Sequence, residues 1–245
     1  MSTVYLVTGA NRGIGLALVT ELSTKSTTIV YATVRDLASP DIRELLALAG
    51  KNSNVRVVKL IAPSEEDSKA LAKRIEEEVG HLDVVIANAA IDGQGKIVEA
   101  SIETFINAFQ VNTIGPIVLF RAVHSLLEKS KRPIFADISS ISGSITNGYA
   151  PAEQAAYAIS KAASNMFVKG ISIEHPNIIA LALHPGLVKT RNTTHLLDMF
   201  GIKDLSEIGG ITTDVSAKGV IKVIEESDKS HTATFRDYKG DTVPW

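Results

Sequence analysis

Short apolar runs rich in β-branched residues alternate with longer amphipathic stretches along the whole chain. Val4-Tyr-Leu-Val7 predicts a buried first strand near 3–8, which turns through glycines into a helix near 14–24. Thr28-Ile-Val-Tyr-Ala-Thr-Val34 is the second strand. Ser39-Pro40 starts a helix, with serine as cap, proline at the first position and Gly50 as its stop. Val55–Ile61 is the third strand. Ser64-Glu-Glu-Asp67 opens the next helix with acids at its positive end, Leu71, Ile75 and Val79 form its buried stripe, and Gly80 ends it. Asp83–Ala87 is the fourth strand, running into Asn88-Ala-Ala90. One long helix is predicted near 102–128, a fifth strand over Pro133–Ile138 and a helix near 153–174. Ile178–Leu183 is the sixth strand and ends at His184-Pro185-Gly186. The stretch 187–214 reads as an irregular, mobile flap, followed by a helix near 215–226 and a short strand near 232–236. Such alternation predicts an α/β fold, a doubly wound parallel sheet flanked by helices on both faces.

With 245 residues and 45% hydrophobic content, the chain can bury one large core, and no repeat, linker or low-complexity run divides it. A single domain over 1–245 is expected, with the flap at about 187–214 over the substrate. A net charge of -2 gives no reason to expect nucleic acid or an acidic membrane as partner. There is no cysteine, so disulfides and thiolate chemistry are excluded. A strand already begins at Val4, no run suits a membrane helix, and a cytoplasmic enzyme is expected. Asn192-Thr-Thr194 matches a glycosylation sequon, but with no secretory signal it is read as chance. The histidines at 81, 124, 175, 184, 195 and 231 include no pair at helical ligand spacing, and no metal is expected.

Two local patterns carry chemistry. The first is Thr8-Gly9-Ala-Asn11-Arg12-Gly13-Ile14-Gly15, directly after the first strand. Its glycines let the backbone turn tightly and approach a bulky anion, whose charge the following helix terminus favours. Placed there, it points to a dinucleotide. At the end of the second strand Val34 is apolar and Arg35 follows it, with Arg12 in the glycine turn as a second cation. Two guanidinium groups converging on a 2′-phosphate predict NADP(H); the alternative is that both are solvated loop residues. The second pattern is Tyr157-Ala-Ile-Ser-Lys161, which sets a phenol and an ammonium one helical turn apart. A tyrosine near its usual pKa of about 10 exchanges protons poorly at neutrality, and a nearby ammonium favours its phenolate.

Together these residues resemble the short-chain dehydrogenase/reductase family over essentially the whole chain. The glycine turn, Asn88-Ala89 after strand four, Asn112, Ser140, Tyr157-x3-Lys161 and Pro185-Gly186 occur in family order. Within that family the chain looks most like the small carbonyl reductases and fungal ketoreductases, partly for its Lys239–Trp245 ending. The resemblance implies a Rossmann-type sheet and a catalytic set of Asn112, Ser140, Tyr157 and Lys161. Tyr157 would protonate the nascent alkoxide, Ser140 would hold the carbonyl oxygen, and Lys161 would also hold the nicotinamide ribose. Asn112 would position a water of a proton relay behind Lys161. Gly9, Asn11, Arg12, Gly13, Ile14, Gly15, Arg35, Asn88, Ala89, Pro185 and Gly186 would hold the cofactor with Tyr157 and Lys161, the backbone of Val188 meeting the carboxamide and Thr190 the phosphates.

Ser139 and Ser142 compete with Ser140, and Tyr149 with Tyr157, though Tyr149 has no lysine four residues on. The family's Asn-Asn-Ala-Gly appears here as Ala87-Asn88-Ala89-Ala90, and its adenine-contacting aspartate after strand three is replaced around Ile61-Ala62. The gap from Ser140 to Tyr157 is wider than usual, implying a longer loop at 143–154. Leu196, Leu197, Met199 and Phe200 of the flap could line an apolar pocket. The expected activity is NADPH-dependent reduction of a ketone or aldehyde of a small, fairly apolar molecule. Alternatives are oxidation of a secondary alcohol and NADP sensing without turnover. By the same resemblance, the helices near 102–128 and 155–174 pair copies into a homodimer or homotetramer.

Overall fold

A computed structural model describes residues 2–148 and 153–245; Tyr149, the rival phenol, lies outside them. One sheet takes a strand from each apolar run: β1 (Thr3–Val7), β2 (Thr28–Val34), β3 (Val55–Lys59), β4 (Val84–Ala87), β5 (Ile134–Ile138), β6 (Ile179–His184) and β7 (Thr234–Asp237). Their order is β3-β2-β1-β4-β5-β6-β7, and all neighbours are parallel. Because both faces are covered, the central strands are largely apolar; Val4 to Val7 are all buried. Alternate residues serve opposite cores. Tyr5, Val7, Ile134 and Ala136 pack with helices α1 (Gly13–Ser23), α2 (Arg43–Lys51) and α8 (Thr213–Glu226). Val4, Leu6 and Phe135 pack with α3 (Glu65–Val79), α5 (Gly115–Leu127) and α6 (Ala155–Glu174). On α1, Leu18, Val19 and Leu22 are fully buried, each contributing roughly 1.5–3 kcal/mol.

The helix boundaries have local causes. Ser64 Oγ accepts from Asp67 N at 3.1 Å, and Gly80 closes α3 in the left-handed conformation, as predicted. Ser39 caps Asp41 N, but a tight 3₁₀ turn at Pro40–Ile42 precedes α2. Gly50 does not stop this helix: α2 continues through Lys51 and closes at Asn52, whose Nδ2 donates to Leu48 O at 2.9 Å.

Two further expectations need correction. The predicted long helix is interrupted: α4 (Ile102–Phe109) passes into a single π-helical turn, Gln110–Ile114, before α5. One extra residue in that turn rotates the side chains that follow. The flap is not irregular either. Val188 and Ile211 pair as a β-bridge at its base. Between them lie a turn at Arg191–Thr193 closed by Thr190, a short helix α7 (His195–Phe200) and a turn at Leu205–Ile208 capped by Asp204 and Glu207.

The C-terminal residues return to the middle of the chain. Trp245 stacks on Phe235 with ring centroids 5.6 Å apart. Ser144 Oγ donates to Pro244 O at 2.7 Å, and Thr146 N donates to Trp245 O at 2.9 Å. No helix among the described residues is long and apolar enough to cross a membrane.

Candidate active site

The strand order reverses at β1, which lies between β2 and β4, so a crevice opens beyond their carboxyl ends. The glycine turn occupies it. Thr8, nearly buried, accepts hydrogen bonds from Asn88 N at 3.0 Å and Ala89 N at 2.9 Å. Asn88 Nδ2 in return donates to Thr8 O at 2.8 Å. These bonds clamp the ends of β1 and β4 together. The clamp leaves no room for a side chain: a Cβ on Gly15 would lie 2.2 Å from Gly9 O, and Gly9 itself has φ +66. No side chain caps the N-terminus of α1 at Arg12. Its first-turn N–H groups therefore face the crevice as an anion cradle.

At the rim, Arg35 is exposed and makes no ion pair among the described residues. The next carboxylate, Asp36, turns back to accept from Ala38 N at 2.9 Å. Arg12 pairs with Asp41 at 3.1 Å, and the same carboxylate takes Arg191 of the flap at 3.5 Å. Arg191 was not foreseen, because only folding brings residues 41 and 191 together. On the other side of the turn lies an apolar recess whose walls include Leu60, Ile61, Ala62, Ala89 and Val111. The carboxylate beside it comes from α3: Asp67 Oδ2 accepts from Ile61 N at 2.9 Å.

The second half of the crevice holds the phenol and ammonium. α6 presents Tyr157, half-buried, and Lys161, almost wholly buried, on one face. Lys161 Nζ donates to Ile138 O at 2.6 Å and lies 6.0 Å from the centroid of the Tyr157 ring. Ile138 ends β5, and Ser140 follows two residues on. Ser140 Oγ accepts from Ser142 N at 3.2 Å, which leaves its own proton to donate. One of its rivals is otherwise engaged. Ser139 is buried and donates to Asn165 Oδ1 at 2.6 Å, and Ser142 lies in the turn beyond.

Asn112 owes its place to the π turn. It is fully buried, accepts from Ile91 N at 2.8 Å, and donates to Ile91 O at 2.9 Å and Ser160 Oγ at 3.0 Å. Ser160 Oγ in turn donates to the main-chain O of Tyr157 at 2.7 Å, and Thr113 Oγ1 donates to Ser160 O at 2.9 Å. The turn thus clasps the middle of the Tyr157–Lys161 segment to the loop after β4.

β6 closes the floor. His184 accepts from Ile141 N at 3.3 Å and so steadies the Ser140 turn. Burial pushes its pKa down to about 4, partly opposed by Asp237, so the ring is neutral and able to accept. Gly186, at φ +88, turns the chain after Pro185, whose carbonyl takes Ser216 Oγ at 2.7 Å. The bridge between the strands of the flap uses Lys189 N and Leu187 O without using the Val188 N–H. Thr190 Cγ2 lies 3.6 Å from where a Cβ on Gly13 would stand, which sets it beside the anion cradle. In the flap, Leu196 is buried, Leu197 and Met199 are half-buried, and Phe200 is exposed. His195 Nε2 meets Gln154 Nε2 at 3.2 Å, joining α7 to the residue before α6. Among the described residues, no group of three His, Cys, Asp or Glu is placed to hold a metal ion.

Comparison with known proteins agrees with this geometry. Residues 3–199 match the family model for short chain dehydrogenases. A short chain dehydrogenase of Penicillium aethiopicum is 36% identical over all of both chains. The norsolorinic acid ketoreductase of Emericella nidulans is 33% identical over 99% of this chain and 94% of its own. The solved structure of an NADPH-bound carbonyl reductase from chicken fatty liver superposes with a TM-score of 0.90 at 32% identity, covering all of both chains. With its glycine turn, its Tyr157–Lys161 pair and its parallel Rossmann-type sheet, this chain belongs to the short-chain dehydrogenase/reductase family of oxidoreductases, in the style of the carbonyl reductases.

Proposed function

We propose that this protein is an NADPH-dependent reductase of ketones or aldehydes on small, fairly apolar molecules. The observation that carries the reading is the buried Lys161 ammonium, 6.0 Å from the Tyr157 ring and anchored on Ile138 O beside Ser140. A buried cation held beside a half-exposed phenol is an arrangement for proton transfer, which a structural tyrosine does not need. The NADPH-bound carbonyl reductase and the ketoreductase among its relatives support the direction.

In this reading the cofactor supplies the hydride, and the chain supplies orientation and a proton. The α1 cradle and Thr190 take the pyrophosphate, and the Val188 N–H takes the carboxamide. Arg35 and Arg12 take the 2′-phosphate, joined by Arg191, with Asp41 giving up its guanidinium partners to the more highly charged anion. The apolar recess at Leu60 to Ala62 takes the purine ring. Ser140 donates to the carbonyl oxygen and stabilises its growing charge while Tyr157 delivers the proton. Asn112 holds the loop at Ile91 and the helix at Ser160 in register, behind Lys161. We read the chain as one domain with 187–214 as its substrate flap.

The same reading makes the protein a homo-oligomer. Ile102, Ile106 and Phe109 of α4 and Ile159, Met166 and Ile173 of α6 are all exposed on the helices expected to pair. The decisive assay follows NADPH absorbance with a panel of diketones, quinones and aryl aldehydes. Turnover by the wild type that Tyr157→Phe abolishes supports the reading. Cofactor binding without turnover of any carbonyl overturns it.

A further inference from the structure

The flap is braced within itself more than against the body. Lys189 Nζ donates to Asp204 Oδ1 at 2.5 Å, and the turns at Arg191–Thr193 and Leu205–Ile208 are closed by their own residues. Among the described residues, two side chains between 191 and 209 make polar contact with the body. Arg191 reaches Asp41 at the cofactor end, 3.5 Å away with side chains 68% and 40% exposed, and an ion pair so open to water holds little. His195 is the other, and its side chain is only 22% exposed. Its Nε2 lies 3.2 Å from Gln154 Nε2, and its Nδ1 lies 3.9 Å from Asp92 Oδ2.

Both partners stand beside the phenol. Gln154 heads α6 three residues before Tyr157, and its carbonyl accepts from Ala158 N at 2.9 Å. The Asp92 loop lies against the same turn, since a Cβ on Gly93 would stand 2.9 Å from Tyr157 N. Both are also fixed without the ring. Asp92 accepts from Gly93 N at 2.8 Å and Gln94 Nε2 at 2.9 Å. Gly95 N donates to Glu153 O at 2.7 Å, and Ala155 N donates to Gly95 O at 3.3 Å, which stitches the loop to the head of α6. The neighbours also set the tautomer of the ring. An amide nitrogen only donates, so His195 Nε2 accepts from Gln154 and the proton sits on Nδ1, facing the carboxylate.

We propose that His195 is a positioning residue that seats the flap on this platform and so holds a carbonyl substrate against Tyr157 and Ser140. This rests on the reading of 187–214 as the substrate flap. Buried Leu196 supplies an apolar hold without direction, and the His195 contacts supply the register. Both nitrogens of the ring are engaged by the platform, so its loss weakens the holding of substrate and spares the chemical step.

The test begins with hydrogen exchange of the α7 amides, read by mass spectrometry on the NADPH-bound protein. His195→Ala is expected to speed exchange over 195–202 by about five- to tenfold, the worth of one hydrogen bond, and to leave the sheet unchanged. His195→Gln, which keeps an acceptor for Gln154, should restore most of the protection. Gln154→Ala leaves the ring in place and carries the test if the first variant fails to fold. With an aryl diketone as substrate, KM should rise about five- to tenfold in His195→Ala while kcat holds. Exchange unmoved in the folded variants overturns the proposal, whatever the turnover. Faster exchange with KM unmoved, or with kcat alone lowered, also overturns it. Faster α7 exchange in a protein that reduces no carbonyl supports the seating and counts against the reductase reading alone.

Discussion

Acid should loosen the catalytic end of the sheet through one ring. His184 is held neutral in the fold, its pKa pushed from 6.5 down to about 4 by burial, and it accepts from Ile141 N. Between those two values the unfolded chain binds a proton that the folded chain refuses. Stability from this residue is therefore fully present above about pH 6.5 and is lost as pH falls towards 4, where the loss levels off. At pH 5 the difference is about 2 kcal/mol, from 1.36 kcal/mol for each unit below 6.5. For a chain of this size that is roughly 4–8 °C in Tm. Asn in place of His184 keeps an acceptor for Ile141 N but cannot titrate. The assay is thermal unfolding of wild type and His184→Asn between pH 8 and pH 5. The wild type should lose the larger share, and the difference between the two curves isolates His184 from every surface pair that titrates nearby. Parallel curves would refute the reasoning, since they would mean that the ring is protonated at no cost.

Three further outcomes are expected. Thr8→Val preserves shape but strips the acceptor from Asn88 N and Ala89 N; it should cost about 1–3 kcal/mol in urea unfolding and weaken NADPH binding, while Thr8→Ser retains both. Arg35→Asp should weaken NADPH binding by roughly 10- to 100-fold and NADH far less, measured by quenching of intrinsic fluorescence; equal effects would detach Arg35 from the 2′-phosphate. Removing Pro244 and Trp245 should cost about 2–4 kcal/mol, by exposing Phe235 and leaving the buried Ser144 hydroxyl without its acceptor, and thermal melts read this directly.

What the chain made legible was local. Strands β1 to β7 stand within a residue or two of their apolar runs, because the inner runs are buried on both faces and carry their signal in composition alone. The glycine turn and the Tyr157–Lys161 pair were equally plain, since both depend on short spacings. The π turn at Gln110–Ile114 was hidden, because one inserted residue does not disturb the helical pattern around it. The restart at Gly115-Pro116 was the available signal. The flap's Asp204-x-x-Glu207 cap was readable and overlooked. Arg191 with Asp41 and Ser164 with Asp137 were of another kind. They are meetings between distant segments, and only the lone acid in Pro133–Ile138 marked one of them in advance.

The return of the last residues to the middle of the chain bears on the order of synthesis. The segment that follows Ser140 is held by the carbonyls of Pro244 and Trp245, about a hundred positions later. A ribosome can release β1 through β6 and their helices while that segment still lacks its brace. Competence then arrives late, once Pro244 and Trp245 have emerged. Any fusion partner joined behind Trp245 would press on the serine's own support, whereas one joined ahead of β1 would leave it alone.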